Sequence, residues 1–327
     1  MTAGSEDPDM CLLEIRNLEV SVSTSEVKFP VVRDVSIDVK RGEVLGVVGE
    51  SGSGKSLTAY SIVQLLSSPT VITNGSIRFD GVDLLGVSAA QMRSLRGRRI
   101  AMIFQDPMMS LNPVLTIATQ MIEAVQAHDN VSVAEARHRA VTALGAVGIP
   151  DPANRLASYP HEFSGGMRQR VAIAIALLHQ PDIIIADEAT TALDVTVQAQ
   201  ILYQMQKLVA ERNIGLMWIS HDLAVISNIA DRVAVMYAGE VVEQGRVGDV
   251  VTKPIHPYTA GLIASVPSNN ERGQPLRQIA GMAPRMPLNF SGCPFLPRCT
   301  RATEVCHSAP PEILSPDQRT FRCHHPS

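Results

Sequence analysis

Two glycine-rich segments and a pair of adjacent acids are the parts of this 327-residue chain whose residue types and spacing favour chemistry on phosphate groups. The first segment consists of Gly49, Glu50, Ser51, Gly52, Ser53, Gly54, Lys55 and Ser56. Its glycines let backbone N–H groups surround phosphate oxygens, the Lys55 ammonium suits the β- and γ-phosphates, and the Ser56 hydroxyl suits Mg²⁺. Taken alone, this segment predicts a nucleotide-binding protein.

The second glycine-rich segment, residues 163–169, contains Ser164, Gly165 and Gly166 and implies a second phosphate contact. The first segment already supplies a complete phosphate site. We therefore expect two copies to meet, each offering Ser164 and Gly166 to the nucleotide that the other holds.

Asp187 and Glu188 follow a short apolar run at residues 183–186 and lie 23 and 24 positions after Ser164. Asp187 is suited to the water shell of Mg²⁺, and Glu188, pointing elsewhere, could polarise an attacking water. A helix cap is the alternative interpretation of two adjacent acids at a strand end.

The predicted elements bring these residues to the ends of strands. The apolar, β-branched run at 44–48 predicts a central parallel strand that leads into the phosphate segment, with a helix from about 55 to 66. Residues 12–22, 32–39 and 76–79 predict an antiparallel sheet, and further strands are expected at 183–186, 215–220 and 233–237, with helices at 195–211 and 222–229. A mostly helical stretch at 115–147 interrupts this α/β alternation.

Bulk composition excludes several classes of protein. The content of 45% hydrophobic and 18% charged residues is ordinary for a soluble globular protein, and a net charge of −4 gives no argument for a nucleic-acid partner. No run approaches the ~18 apolar residues that cross a bilayer, and the acidic residues 1–7 do not resemble a signal peptide. We therefore expect a cytosolic chain unless a partner holds it at a membrane.

In their order along the chain, these residues resemble the ATP-binding subunit of an ATP-binding-cassette (ABC) transporter over about residues 12–250. The matching positions are the phosphate segment, Gln105, the Ser164-Gly165-Gly166-Met167 signature, Asp187-Glu188, Ala192-Leu193-Asp194, and His221 within residues 219–222. The resemblance implies an α/β fold: a RecA-like P-loop core with an antiparallel β subdomain and a helical subdomain at about 107–175. The cassette would span 1–250 and be followed by an extension at 251–327.

The resemblance also implies ATP and Mg²⁺ as ligands, and a role for each matching residue. Catalysis would involve Glu188, His221 and Gln105; Mg²⁺ would contact Ser56, Gln105 and Asp187; and the nucleotide would contact Gly49 through Ser56, Ser164, Gly165, Gly166 and Asp194. Three alternatives stay open: a surface amide for Gln105, a lone core histidine for His221, and an acidic helix start for Asp194.

Two positions depart from the family pattern. Ala189 stands where the family usually has a proline after the catalytic acid, which removes no functional group. An aromatic residue is missing where the family usually stacks on adenine. Thr24 lies about there, and Phe29 is the only ring nearby.

Residues 104–113, 159–170 and 256–259 resemble the ATPases of oligopeptide, dipeptide and nickel importers more narrowly. That subfamily implies a second ATP-binding subunit (the same chain or a related one), two transmembrane permease subunits and an extracytoplasmic solute-binding protein, with no nucleic-acid partner. It places the chain peripherally on the cytoplasmic face of the cell membrane. The segment after Gln105 would receive a coupling helix from a permease.

The proline-rich end of the chain contains Cys293, Cys299, Cys306 and Cys323, separated by five, six and sixteen residues. Disulfides are disfavoured in the cytosol, so four clustered thiols predict a metal site, and the spacing is not that of a zinc ribbon. The quartet resembles that of peptide-importer ATPases, where it binds a 4Fe–4S cluster. Structural zinc, with His307, His324 or His325 as substitute ligands, and free thiols are the alternatives; Cys11 stands apart.

The leading function is therefore an ATP-hydrolysing subunit of a membrane importer for peptides. Import of nickel or another small solute is the first alternative. A soluble ABC ATPase acting on DNA or ribosomes is disfavoured because the chain has neither long coiled coils nor a second cassette. An iron–sulfur redox sensor is disfavoured by the complete catalytic set.

Overall fold

The computed structural model describes residues 11–23, 28–190, 193–270, 273–275, 277–284, 286–287 and 290–326. These residues divide into two compact units. The helical unit contains Lys40–Glu43 and Gly86–Met217, and the loop unit contains Cys11–Val39, Val44–Leu85 and Trp218–Ser327. The predicted extension at 251–327 groups with the loop unit, and its boundary at 250 stays a prediction. Thr24 and Ala192 lie outside the described residues.

The strands are β1 (Cys11–Ser23), β2 (Lys28–Lys40), β3 (Val44–Val48), β4 (Thr70–Phe79), β5 (Val82–Asp83), β6 (Ile100–Ile103), β7 (Ile183–Asp187), β8 (Gly215–Ser220), β9 (Arg232–Tyr237), β10 (Glu240–Arg246), β11 (Glu312–Leu314) and β12 (Thr320–Arg322). The α-helices are α1 (Lys55–Ile62), α2 (Ala89–Leu95), α3 (Ile117–Gln126), α4 (Val133–Ala146), α5 (Pro152–Arg155), α6 (Gly165–Leu177), α7 (Val195–Arg212), α8 (Leu223–Ile229), α9 (Val247–Thr252) and α10 (Pro257–Ser265). Among the described residues, no helix is both long and apolar enough to cross a membrane.

The loop unit contains a four-stranded antiparallel sheet in the order β2-β1-β4-β5. Leu13 of β1 pairs with Phe79 of β4, and Ile15 pairs with Ile77. All four side chains are buried, as the alternation of apolar residues along both strands requires when one face of a sheet covers a core. The predicted antiparallel sheet is confirmed, and its strands are longer than the sequence pattern indicates.

A second group of strands in the loop unit carries the phosphate segment. β3 pairs in parallel with β9, placing Leu45 opposite Arg232 and Val48 opposite Val235, and every residue of β3 is buried. A Cβ atom at Gly46 would lie 2.3 Å from the Ile226 side chain, so helix α8 packs closely against this strand. The apolar character of β3 on both faces follows from its central position.

Helix α1 ends at Ile62, four residues before the predicted end at Leu66. Gln64 adopts a left-handed conformation with φ of 50°, and the Leu65 N–H donates to the Tyr60 carbonyl at 2.9 Å. Helices commonly end in this way: a residue in the left-handed conformation turns the chain, and a following N–H group satisfies one of the last helical carbonyl groups. The apolar run at 65–66 hid the stop.

The helical unit contains a parallel strand pair and a set of packed helices. β6 and β7 pair from Ile100–Ile183 to Ile103–Ala186. The predicted helical stretch 115–147 forms two helices, α3 and α4, begun by Thr116 and Ser132, which each accept a backbone N–H three residues ahead. Each helix buries a stripe at intervals of four residues, which consists of Ile117, Met121 and Val125 in α3 and Ala136, Ala140 and Leu144 in α4.

The extension joins the loop unit as part of its sheet. β12 pairs with β10 at Phe321–Glu243 and Thr320–Gln244, and β11 pairs with β12. The carboxylate of Glu243, which is fully buried, accepts hydrogen bonds from the Ile255 and His256 N–H groups at 2.9 and 2.8 Å. Arg319 lies 3.6 Å from the same carboxylate and donates to the Lys253 carbonyl at 2.6 Å. Burial raises the pKa of Glu243, and these donors oppose the rise.

His256 is a buried helix cap whose titration should make the loop unit sensitive to acid. Its side chain is 1% exposed, its Nδ1 accepts the Tyr258 N–H at 3.0 Å, and burial lowers the pKa of His256 to about 4. The unfolded chain, with a histidine pKa of about 6.5, takes up the proton first as the pH falls. The stabilisation is therefore complete above about pH 6.5 and is lost on acidification towards pH 4, by about 3 kcal/mol in total.

We expect denaturant unfolding at a series of pH values to show this loss for the wild type. The His256→Asn variant keeps an oxygen that accepts the Tyr258 N–H and should lose most of the pH dependence between 6.5 and 4. His138→Asn, which replaces an exposed histidine, serves as the control and should retain it. An unchanged slope in His256→Asn would contradict the assignment.

Candidate functional site

The phosphate segment forms a loop between β3 and α1, as the sequence predicts. Gly54 is the N-cap residue of α1 and has a φ of 97°, a left-handed conformation that side chains disfavour. A Cβ atom at Gly49 would lie 2.1 Å from the Met236 carbonyl oxygen, so this position also admits only glycine. The loop backbone is thereby held against β9 with the N-terminus of α1 following it directly.

The buried Lys55 ammonium is surrounded by oxygen atoms of the phosphate loop. The side chain is 4% exposed, and its Nζ donates to the Gly49 carbonyl at 2.7 Å, the Glu50 carbonyl at 2.9 Å and Ser53 Oγ at 3.4 Å. A buried ammonium requires such acceptors. These contacts place a fixed positive charge inside the curve of the loop, where phosphate oxygens would bind. Ser56, the second residue of α1, is half-buried.

Glu50, within the loop, is held by residues from the far end of the chain. Arg298 Nη1 and Nη2 donate to Glu50 Oε2 and Oε1 at 2.8 and 3.0 Å, and the Glu50 N–H donates to the Tyr258 hydroxyl at 3.0 Å. The carboxylate raises the pKa of Arg298 above its usual range. No pattern in the sequence indicates the Arg298 contact, whereas Tyr258 belongs to the 256–259 segment that carried the subfamily resemblance.

An apolar cavity of about 450 Å³ lies beside the phosphate loop. Its lining includes Phe29 and Val31 of β2, Ser51 and Gly52 of the loop, and Pro284 and Met286 of the extension. Phe29, the ring considered from the sequence for the adenine position, lines the same cavity as the phosphate loop. The extension supplies part of the same wall, which the sequence pattern did not indicate.

In the helical unit, Gln105 and Glu188 meet at the ends of neighbouring strands. Gln105 follows β6 and Glu188 follows β7, and Gln105 Nε2 donates to Glu188 Oε2 at 3.1 Å. Parallel strands bring their carboxyl ends to one edge of a sheet, which explains the meeting. Gln105 is exposed, and its amide forms this hydrogen bond with the Glu188 carboxylate. Asp187 is the last, fully buried residue of β7.

Glu188 adopts a left-handed backbone conformation with φ of 47°. A residue with a Cβ atom is uncommon in this region, and such strain concentrates at functional sites. The turn directs the Glu188 side chain away from the course of the apolar strand and towards Gln105. The departure from the family at Ala189 leaves a buried small residue directly after it.

Ser164 is the N-cap residue of helix α6. Its hydroxyl accepts the Met167 N–H at 3.3 Å, and Gly165 and Gly166 are the first two helical residues. Serine is a favoured N-cap, and the helix begins directly after it at Gly165. Ser164 and Gly165 are exposed, so the positive end of a 13-residue helix is accessible.

Asp194 and His221 both lie at helix starts. Asp194 caps α7 by accepting the Val197 N–H at 2.9 Å, which confirms the acidic-helix-start interpretation; its contact with a second subunit stays a prediction. His221 lies in the loop unit between β8 and the Asp222 cap of α8. It is exposed, so the alternative of a core histidine is wrong.

The four cysteines of the extension are close together. All are free, Cys293, Cys306 and Cys323 are buried, and the Cys293 N–H donates to the Cys306 carbonyl at 2.9 Å. Burial raises the pKa of the Cys293 thiol to about 11, with further contributions from the other three thiols nearby. Cys11 has a pKa of about 11, raised by burial and then by Asp38, as expected of an unreactive thiol.

Proximity has not organised these thiols into a ligand set. Within the described residues, no group of three or more His, Cys, Asp or Glu side chains is arranged to hold a metal ion. Two of the three candidate zinc histidines form hydrogen bonds: His324 Nε2 lies 3.2 Å from the Ser308 carbonyl and His325 Nε2 lies 2.6 Å from Thr303 Oγ1. The arrangement thus gives no support to a preformed metal centre.

Comparison with known proteins matches both parts of the chain. The family model described as ABC transporter matches residues 32–191, and the model described as oligopeptide/dipeptide transporter, C-terminal region, matches residues 242–306. The oligopeptide transport ATP-binding protein OppD of Salmonella typhimurium is 46% identical over 94% of this chain and 92% of its own length. The dipeptide transport ATP-binding protein DppD of Bacillus subtilis is 46% identical over 95% and 94%.

Among solved structures, a dimeric ATP-binding cassette in a post-hydrolysis state bound to ADP and Pi is 27% identical, with a TM-score of 0.65. The similarity covers 72% of this chain and 98% of that one. The predicted α/β P-loop fold is thereby confirmed.

Replacing Glu188 should separate hydrolysis from binding. In Glu188→Gln the side chain keeps its size and its reach to Gln105 but loses its basicity, so we expect the ATP hydrolysis rate to fall by about 100-fold or more. ATP affinity, measured by titration, should change less than about twofold. Glu211→Gln, at an exposed carboxylate of the same unit, is the control and should be as active as the wild type. Wild-type turnover in Glu188→Gln would remove Glu188 from catalysis.

Proposed function

Since the chain belongs to the family of ABC transporter ATP-binding proteins that includes the oligopeptide and dipeptide transport proteins, we propose that it binds and hydrolyses ATP to power the import of peptides. The observation that carries the proposal is that the similarity extends through the C-terminal region. A cassette alone identifies an ATPase, whereas residues 242–306 match a model specific to oligopeptide and dipeptide transporters.

The phosphate loop and the catalytic acid divide the chemistry. The loop N–H groups and the Lys55 ammonium bind the β- and γ-phosphates and neutralise the charge that develops on them. Water attacks the γ-phosphorus, the bond to the β-phosphate oxygen breaks, and Glu188 accepts the proton of the water. Gln105 orients the Glu188 carboxylate through the 3.1 Å hydrogen bond, and His221 donates to the γ-phosphate.

Mg²⁺ fits the oxygen donors of this chain. The hydroxyl of Ser56, the carboxylate of Asp187 and the amide oxygen of Gln105 are the hard ligands that this cation prefers, and they would hold it. When bound, the cation neutralises charge on the phosphates.

Adenine would occupy the apolar cavity beside the loop. Phe29 offers a ring for stacking, and the cavity lies next to Ser51 and Gly52 of the phosphate loop. A mostly apolar wall with a neighbouring set of backbone donors is typical of nucleotide sites.

A second ATP-binding subunit would complete each site. Ser164 and Gly165, which are exposed, and the half-buried Gly166 lie at the start of α6 and would bind the γ-phosphate held by the partner. Asp194 would contact the same partner. The dimeric state of the similar cassette supports this arrangement, and the partner is this chain or a related one.

Two transmembrane permease subunits and an extracytoplasmic solute-binding protein would complete the importer, with the chain peripheral on the cytoplasmic face of the membrane. The segment after Gln105 exposes Met109 and Val114 by 73% and 75%, respectively. Exposed apolar side chains next to a catalytic glutamine support docking of a permease coupling helix there. No nucleic acid is needed.

Uptake measurements test the proposal. In cells that lack the chain but retain its permeases, the wild type and Glu211→Gln should restore uptake of labelled peptides, whereas Lys55→Ala should leave it at background because the loop loses its phosphate charge. Restoration of nickel uptake alone would favour the alternative solute. No effect on uptake, combined with salt-dependent DNA binding, would favour a soluble ATPase.

The cysteine quartet would hold a 4Fe–4S cluster, as the subfamily resemblance implies, with Zn²⁺ as the alternative. Four free and mutually close thiols support a metal, while their arrangement would have to adjust to bind one. Protein purified without oxygen should contain about four iron and four sulfide per chain. Zinc without iron would decide for the alternative, and neither metal would reject both.

A further inference from the structure

The extension contacts the phosphate loop directly through Arg298. Its two terminal nitrogens form a forked pair with both oxygens of Glu50, at 2.8 and 3.0 Å. The Arg298 side chain is 5% exposed, so this pair differs from a solvated surface salt bridge. A forked arginine–carboxylate pair is among the strongest and most directional contacts in proteins.

The surroundings of Arg298 leave it one orientation. Its Nε donates to the Ala280 carbonyl at 2.8 Å, and Nη1 donates to the Tyr237 hydroxyl at 3.3 Å. The guanidinium lies over the rings of Tyr237 and Phe295, 5.7 and 6.0 Å from their centroids. Three kinds of contact therefore fix the fork in the position that meets Glu50.

A third aromatic residue, Tyr258, packs on Tyr237 and Phe295 and also holds the Glu50 backbone. The hydroxyl of Tyr258 accepts the Glu50 N–H at 3.0 Å, and the ring of Tyr258 packs on Tyr237 and Phe295 at 4.5 and 5.5 Å between centroids. Glu50 is thus fixed at its backbone by Tyr258 of α10 and at its side chain by Arg298, both of which belong to the extension.

An acidic residue in a phosphate-binding loop needs such a partner. A Glu50 carboxylate without Arg298 would add a negative charge next to the Lys55 ammonium, which binds the Glu50 carbonyl at 2.9 Å, and would repel nucleotide phosphates. Arg298 neutralises that charge and keeps the carboxylate turned towards the extension.

We propose that Arg298 is a positioning residue for the phosphate loop, so that the extension contributes to nucleotide binding at the ATP site. The proposal rests on the ATP binding proposed above. Arg298 lies immediately before Cys299 and five residues after Cys293, within the segment that gathers the thiols. A change in the packing of that segment would therefore move the Arg298 side chain and, through it, the Glu50 carboxylate.

Four variants of the full chain test the proposal by ATP and ADP titration. Arg298→Gln should weaken nucleotide affinity about tenfold, since it leaves the Glu50 charge uncompensated. Arg298→Lys, which keeps the charge without the fork, should lose less. Glu50→Gln, which loses the fork but leaves no uncompensated acid, should weaken affinity less than Arg298→Gln does. The double variant Arg298→Gln with Glu50→Gln should recover most of the affinity that Arg298→Gln loses, because the repulsion is gone.

Arg322→Gln is the matched control. Arg322 also immediately precedes a cysteine of the quartet, is 13% exposed and is paired with acids, Asp34 at 2.6 Å and Glu312 at 2.9 Å, but it does not contact the phosphate loop. Its loss should lower the melting temperature of the chain while leaving nucleotide affinity within about twofold of the wild type.

Three results would overturn the proposal: wild-type affinity in Arg298→Gln, equal weakening in Arg322→Gln, or no recovery in the double variant. Equal weakening in Arg322→Gln would show that Arg298 acts only through general stability, and no recovery in the double variant would show that Arg298 does not act by neutralising Glu50. Absence of ATP binding by the wild type would instead reject the proposed function, so the two failures are distinguishable.

Discussion

The structure of the loop unit depends on a buried positive charge that must be surrounded by oxygen. Lys55 satisfies this need with the Gly49 and Glu50 carbonyls and with Ser53 Oγ, all from its own loop. The loop can only close in this way if its backbone approaches Met236 at Gly49, where a side chain would collide with a carbonyl oxygen. The buried strand β3 and its parallel neighbour β9 supply the rigid base that holds the backbone there.

The same loop explains why the C-terminal extension is joined to the cassette so firmly. β12 adds to β10, and Glu243 binds the chain before α10 while lying close to Arg319. These contacts fix His256 and α10, whose Tyr258 hydroxyl accepts the Glu50 N–H. The extension thereby becomes a second support for the phosphate loop. Removing one partner of a buried charge cluster lowers the free energy of unfolding strongly. The contacts around Glu243 therefore hold the extension firmly in place next to the phosphate loop.

Local features of the fold could be predicted because local chemistry determines them. The apolar strand β3, the glycine-rich loop and Asp187 at the end of β7 each follow from short stretches of sequence. The meeting of Gln105 with Glu188 could be expected once both were placed at the ends of parallel strands. The predicted starts of α7 and α8, at 195 and 222, also agree with the structure to within one residue.

The long-range pairs could not be predicted in this way. Arg298 and Glu50 are 248 residues apart, and neither strand periodicity nor helix periodicity carries information about which buried arginine meets which acid. The early end of α1 was hidden for a different reason. Gln64 adopts a left-handed conformation without being glycine or asparagine, so composition gave no stop signal.

The thiol quartet shows a further limit, because a ligand set is a matter of geometry as well as composition. Cysteine count and spacing indicate that four thiols gather, and the raised pKa of Cys293 agrees with that gathering. A thiolate is the form that binds metal, and a raised pKa disfavours it until a cation compensates the charge. The raised pKa values of the buried Cys293 and Cys323 thiols therefore favour their protonated state. Metal binding at the quartet would therefore have to release the proton of the Cys293 thiol.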